Sequence, residues 1–254
     1  MCYDDNARAP LPPGTNGSAQ GEDLVLQASD GNRFAAYVAR PEHSTGAQIL
    51  IFPDVRGLHQ FYKDLALRFA ETGTTALAID YFGRTAGLTE RNDAFEFWPH
   101  VQQLNIQTSF KDVQAALAYL RQNNSHQPIF TVGFCRGGSF SLLSATRDFG
   151  QAGAIGFYAG LSRVFAGSTG SILNLSSQIR YPVLGLFGGA DPGIPSTDVQ
   201  ALDANLDKAG VEHEIVVYPD APHSFFDRRS ADFAEASSDA WRRVLGFIKA
   251  HTPA

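Results

Sequence analysis

The chain has 254 residues, long enough for one sizeable α/β core, and its 44% hydrophobic content is that of a soluble globular protein. Its 20 Lys and Arg against 26 Asp and Glu give a formal net charge of -6, which leaves no basic surplus to hold a nucleic-acid backbone or an anionic membrane. No apolar segment approaches the roughly 20 residues that a bilayer span requires, so small-molecule chemistry is the expectation.

Residues 1–20 carry Pro10, Pro12, Pro13, Gly14 and Gly17 and read as an irregular arm, with one α/β domain over 21–254 whose folded part starts near Asp23. The opening Met1-Cys2-Tyr3-Asp4-Asp5 lacks the basic and apolar regions of a signal peptide, and Cys2 reads as incidental. The other cysteine, Cys135, follows a predicted core strand, so a structural disulfide is not expected and a reducing cytoplasm is.

Asp23–Ala28 and Arg33–Arg40 flank Ser29-Asp30-Gly31-Asn32, a hairpin turn. Beyond them apolar runs alternate with segments of helical period. Gln48–Phe52 precedes Phe61, Leu65 and Phe69, and Thr74–Ile79 precedes a loop and then Phe110, Val113, Leu117 and Leu120. Strands are further predicted at Ile129–Phe134, Ala154–Tyr158, Val183–Phe187 and Glu214–Tyr218. Helices are predicted through Val199, Leu202 and Leu206 and through Trp241, Val244, Leu245 and Ile248. The economical solution is a mostly parallel central sheet with helices on both faces. Residues 82–104, polar but carrying Phe95, Phe97 and Trp98, form either a cap over a site or an aromatic-pinned surface excursion.

The segment Gly133-Phe134-Cys135-Arg136-Gly137-Gly138 lies between a predicted strand and a predicted helix over Ser139–Ala145. A sharp strand-to-helix turn lifts its central residue above the sheet, and small neighbours permit the crowded backbone. It also sets the Cys135 sulfur at a helix N-terminus, where unpaired N–H groups favour thiolate. The competing reading is a buried structural cysteine beside a glycine turn.

A thiolate attacking an acyl carbon needs a histidine to handle protons and a group to orient it. His223, in Pro222-His223-Ser224-Phe225, follows the last predicted strand, where parallel-sheet sites collect; His43, His59, His100, His126, His213 and His251 lack that placement. Asp191, in Gly188-Gly189-Ala190-Asp191, follows the preceding strand, although such a turn also uses Asp for its own backbone. The order Cys135, Asp191, His223 is that of the α/β-hydrolase fold. Oxyanion donors are then the backbone N–H groups of Arg136 and of Val55, the latter in Pro53-Asp54-Val55-Arg56-Gly57.

Together with Ile79-Asp80-Tyr81-Phe82-Gly83-Arg84, these motifs resemble the dienelactone hydrolase family over most of the chain from Leu24 onward. The resemblance implies hydrolysis of an ester or lactone through a covalent thioester, typified by opening of the dienelactone ring to maleylacetate. Cys135 is then the nucleophile, His223 the acid and base, and Asp191 the orienting carboxylate. The typical member carries Glu where this chain has Asp54, one methylene shorter, and that acid holds the resting thiol. It also binds the substrate carboxylate with two arginines. Arg84 matches the first; at the second, four residues after the histidine, stands Asp227, with Arg228 next along.

Arg56 and Arg136 are alternative sources of positive charge near the mouth, and Phe82, Trp98 and Phe225 are candidate pocket walls. Because Asp227 would repel a substrate carboxylate, uncharged esters or other acyl compounds are the alternative substrates. A noncatalytic binding protein is the rival of a different class. The expected partner is a small ester or lactone, with or without a carboxylate. No cofactor is needed, and no metal-ligand motif is present; the oligomeric state stays open.

Overall fold

The computed structural model describes residues 6–14, 17–123 and 126–253; Cys2 lies outside them. Eight strands form one sheet in the order β1-β2-β4-β3-β5-β6-β7-β8. The first pair, β1 (Ala19–Gln27) and β2 (Arg33–Pro41), is the predicted hairpin, and β2 also runs antiparallel to β4 (Thr75–Ile79). From β4 through β3 (Gln48–Phe52), β5 (Ile129–Phe134), β6 (Gly153–Phe157), β7 (Val183–Gly188) and β8 (His213–Tyr218) every pairing is parallel. The architecture is an α/β fold with a mostly parallel sheet flanked by helices, the α/β-hydrolase arrangement.

Strands β3, β5, β6 and β7 are buried at every position, as strands covered on both faces must be. The long helices are α1 (Gln60–Glu71), α4 (Ile106–Asn123), α5 (Arg136–Ser144), α7 (Ser196–Ala209) and α8 (Ala234–Ala250). Helices α1, α4, α7 and α8 lay the apolar stripes read from the sequence against the core, as Phe61, Leu65 and Phe69 do in α1 and Trp241, Val244 and Ile248 in α8, whereas α5 is buried all round. Chain entry differs from the expectation at Asp23. Strand β1 begins at Ala19 because its exposed, polar first half still pairs with β2, Ala19 opposite Pro41. Further upstream, the Pro10 carbonyl accepts the Trp241 indole N–H at 3.1 Å, which pins that part of the arm to α8.

Residues 82–104 contain two short helices, α2 (Gly83–Ala86) and α3 (Phe97–Gln103). Two ion pairs tie the excursion to the sheet edge. Arg91 and Asp80, both almost wholly buried, meet at 2.8 Å, and Arg56 grips Asp93. A small separate core of Tyr81, Phe82, Val101 and Leu104 fills the space beneath. The short helix α6 (Ile172–Leu175) is capped at its N-terminus by a Ser171 and Asn174 capping box.

Candidate active site

Four neighbouring strands, β5 to β8, deliver one residue each to the carboxyl edge of the sheet: Cys135, Tyr158, Asp191 and His223. The first stands between β5 and α5 with φ 55 and ψ -114, a left-handed conformation that a non-glycine residue adopts only when its surroundings enforce it. They do so from both sides. The Cys135 N–H donates to the Phe157 carbonyl at 3.0 Å, and its own carbonyl accepts from Ser139 N–H at 3.2 Å. A Cβ on Gly133 would lie 1.9 Å from the Gly137 oxygen, and one on Gly137 would lie 2.0 Å from the Phe52 oxygen. Helix α5 therefore starts at Arg136, three residues before the Ser139 start expected from the glycines. These glycines let the helix approach the backbone of β3 and β5 rather than delaying its onset.

Asp191 and His223 are held by interlocked loops after β7 and β8, where Gly189 N–H donates to the Tyr218 carbonyl at 2.7 Å and Ala190 N–H to that of Ala221 at 3.0 Å. One Asp191 oxygen accepts from Gly193 N–H at 2.8 Å; the other lies 2.6 Å from His223 Nδ1. So the acid bonds its own turn and His223 at once. Burial of His223 disfavours its charged form, but hydrogen bonds to Asp191 and Cys135, with the charges of both, override it and push its pKa up to about 10. The imidazole is thus a partner of both residues, and its raised pKa holds its proton at neutral pH.

The Val55 and Arg136 N–H groups, from the loop after β3 and the first turn of α5, have no internal acceptor among the described residues. Asp54 is fully buried; one of its oxygens accepts Arg56 N–H at 2.9 Å, and its own N–H donates to the Tyr62 hydroxyl at 3.0 Å. The Tyr81 hydroxyl donates to the carbonyls of Pro53 and Asp54, fixing the same loop from below. Among the described residues no cluster of three or more His, Cys, Asp or Glu side chains is arranged to hold a metal ion.

Several expected substrate contacts are engaged elsewhere. Arg84 spends its guanidinium on Asp112 at 2.8 Å and Asp30 at 2.9 Å, so its charge is already matched by two carboxylates. Arg56 is occupied by Asp93 and anchors the excursion. Phe82 and Phe225 are 0% exposed and offer no face to a substrate. Phe82 packs on Tyr81, Phe95 and His100, and Phe225 on Phe157, Tyr158 and Tyr218. Trp98 is 55% exposed against Phe97 on the outer side of α3. Arg228 also has an exposed side chain, and its N–H caps the Asp227 carboxyl.

Asp227 itself is buried and accepts the Tyr158 hydroxyl at 2.8 Å. Burial first, and the nearby Asp54 charge second, push its pKa well above the ordinary carboxylate value, so it is held toward the neutral acid. Tyr158, whose ring centroid lies 4.8 Å from that of His223, thus links the histidine to Asp227. In the sequence Tyr158 stands only as the end of a predicted strand; its place at the carboxyl edge, one strand from Cys135, is the signal that points to it.

The Arg84 arrangement has a measurable consequence. In Arg84→Ala, Asp112, with a side chain only 2% exposed, loses its cation. Urea unfolding should show a loss of about 1–3 kcal/mol, while the ratio of rates on matched anionic and neutral esters stays as in the parent chain. A collapse of that ratio would return Arg84 to the substrate.

The model of the dienelactone hydrolase family matches residues 34–252. The "Putative carboxymethylenebutenolidase" of Salmonella typhimurium is 29% identical over 251 residues, covering 94% of this chain and 92% of the relative. A lactonase of Bradyrhizobium, named as a "Probable 2-oxo-3-(5-oxofuran-2-ylidene)propanoate lactonase", is 28% identical and covers 90% and 94%. Among solved structures, the "Putative Dienelactone Hydrolase" of Klebsiella pneumoniae superposes with a TM-score of 0.78 at 25% identity, covering 91% of this chain and 99% of that one.

Proposed function

The chain belongs to the dienelactone hydrolase family, and on that premise we propose that it hydrolyses small esters or lactones through a thioester on Cys135. The observation that carries this reading is the contact series from Asp191 through His223 to Cys135, with 2.6 Å between Asp191 and His223 Nδ1, at a strained elbow. The Cys135 thiolate attacks the acyl carbon, and the developing oxyanion is met by the Arg136 and Val55 N–H groups. Protonated His223 gives its proton to the leaving alkoxide or enolate. Once the sulfur is acylated it no longer carries the charge that raises the imidazole pKa, so neutral His223 is restored as the base for water. Water then cleaves the thioester and regenerates the thiolate and imidazolium.

The engaged state of Arg84 and Arg56 favours a substrate read otherwise than through those two arginines. Beside His223, Tyr158 and Asp227 are buried and Asp227 is held toward the neutral acid, so they set no full charge against an uncharged leaving group such as a plain alcohol. Among the described residues no helix is long and apolar enough to cross a membrane. The test is intact-mass trapping with a panel of activated esters and lactones. A mass increase equal to the acyl group, located on the Cys135 peptide and decaying at the turnover rate, is expected. An adduct on any other residue, or turnover with no adduct on rapid quenching, would overturn the thioester route.

A further inference from the structure

Arg136 follows the nucleophile directly, and the proposed cycle uses only its backbone N–H. The residue is only 8% exposed, and it remains a cation in surroundings that disfavour one: burial lowers its pKa, and the charge of Arg163 lowers it further. The guanidinium lies over the ring of Phe165, 4.7 Å from its centroid, and over that of Phe140 at 5.8 Å. Its buried Nε–H has no acceptor, and among the described residues no carboxylate pairs with it. A desolvated cation without a counterion is costly, and protein interiors rarely keep one without use. Other buried arginines in this chain behave differently: Arg91 is matched by Asp80 and Arg56 by Asp93. The groups that favour the Arg136 cation are Tyr81 first and the Cys135 sulfur after it.

We propose that the Arg136 guanidinium, reinforced by Arg163, receives a carboxylate of the ester substrate beside Cys135. The two aromatic rings fix the guanidinium plane, which is what bidentate recognition of a planar anion needs. The carboxylate then lies away from His223, in the acyl part of the substrate, while the uncharged leaving group lies on the His223 side. The inference rests on the proposed ester hydrolysis for its substrate class, but the site itself can be tested without turnover.

Cys135 is alkylated by iodoacetate, an anion, and by iodoacetamide, its neutral counterpart, through the same displacement of iodide by the thiolate. Because the nucleophile is common to both, the ratio of the two rates, followed on the Cys135 peptide, cancels any effect of Arg136 on the thiolate. For the full chain the ratio should exceed that of a free cysteine amide by about tenfold or more, the strength of a charge-assisted hydrogen bond. It should fall as ionic strength rises. Arg136→Met, which keeps the packing between the two rings, should remove the enhancement; Arg163→Glu, which offers a competing carboxylate from an exposed position, should reduce it.

Equal slowing of both reagents in Arg136→Met, or a wild-type ratio no higher than that of the free amide, would overturn the proposal. The His223 imidazolium also favours an anionic reagent, so a high wild-type ratio left unchanged in Arg136→Met would overturn the proposal as well, and if the Met variant does not fold, the fall in the ratio in Arg136→Gln and Arg163→Glu decides the matter. A matched pair of activated esters, one bearing an acyl-side carboxylate and one its methyl ester, completes the test: the kcat/KM ratio should favour the anion and fall about tenfold or more in Arg136→Met. A high alkylation ratio in a chain that hydrolyses neither ester would sink the hydrolytic reading and leave the anion site standing.

Discussion

Cys135→Ala is expected to lower kcat/KM on an activated ester by about 10⁴–10⁶-fold, the cost of removing a nucleophile from a site whose other groups remain, and to abolish the acyl adduct. The truncation leaves a Cβ at the elbow, so the backbone there, with φ 55, carries the same strain and the same bonds to Phe157 and Ser139. Unfolding by urea should therefore change little. The variant also alters a neighbour in a way that an inert core cysteine would not. Both the hydrogen bond and the charge of Cys135 help to raise the His223 pKa to about 10. Without the sulfur, titration of the His223 ring by NMR should move downward, toward the value that burial and Asp191 alone set. Cys135→Ser is the sharper control, because a hydroxyl at pH 7 supplies no anion to hold the imidazolium; it too should titrate lower and turn over slowly. Turnover undiminished in the Ala variant would remove Cys135 from the chemistry.

How far the molecule was legible in its sequence depended on whether a feature is set locally or by distant partners. Gln48–Phe52 and Ile129–Phe134 are continuous apolar runs, and the strands occupy the predicted bounds because burial on both faces leaves no other reading. Asp191 and His223 were legible for a topological reason: each follows a strand, and in a parallel sheet the ends of neighbouring strands converge. Arg84 was not. Its fate is decided by Asp30, 54 residues away, and Asp112, 28 residues away, and nothing local in the chain announces either pairing. The same holds for Phe82 and Phe225, whose aromatic character suits a pocket wall and a core equally well until packing decides between them. At Asp227 the residue type misled more directly. A carboxylate at that position is expected to repel an anion, yet burial, with the nearby Asp54 charge, opposes its ionisation and outweighs the hydrogen bond from Tyr158. Arg136 was named for its backbone and as one source of charge among several; that its side chain is enclosed by Phe140 and Phe165, without a carboxylate, is a property of the folded loop after β6.

In Asp191→Asn, kcat/KM should fall about 10³–10⁴-fold with the fold preserved, since the amide retains the size of the carboxyl but can offer its NH₂ group to His223 and select the wrong tautomer. The Gly193 N–H still has the side-chain oxygen to bond, so the turn after β7 survives if the amide orients that way. It is then the NH₂ that faces His223 Nδ1, which must become an acceptor, and the Nε2–H tautomer that results cannot take a proton from the thiol. The pH dependence of stability separates this from simple loss of a hydrogen bond. His223 is raised from 6.5 to about 10 in the folded chain, so the stability it contributes is fully present below pH 6.5 and is lost as pH rises through about 10. The substitution removes the bond and charge of Asp191 from that shift. The gap in unfolding free energy between parent and variant should accordingly be widest near pH 6 and narrow steadily toward pH 10, as measured by denaturant midpoints across that range. A gap that stays constant with pH would mean that His223 does not carry the proton that the acyl transfer needs.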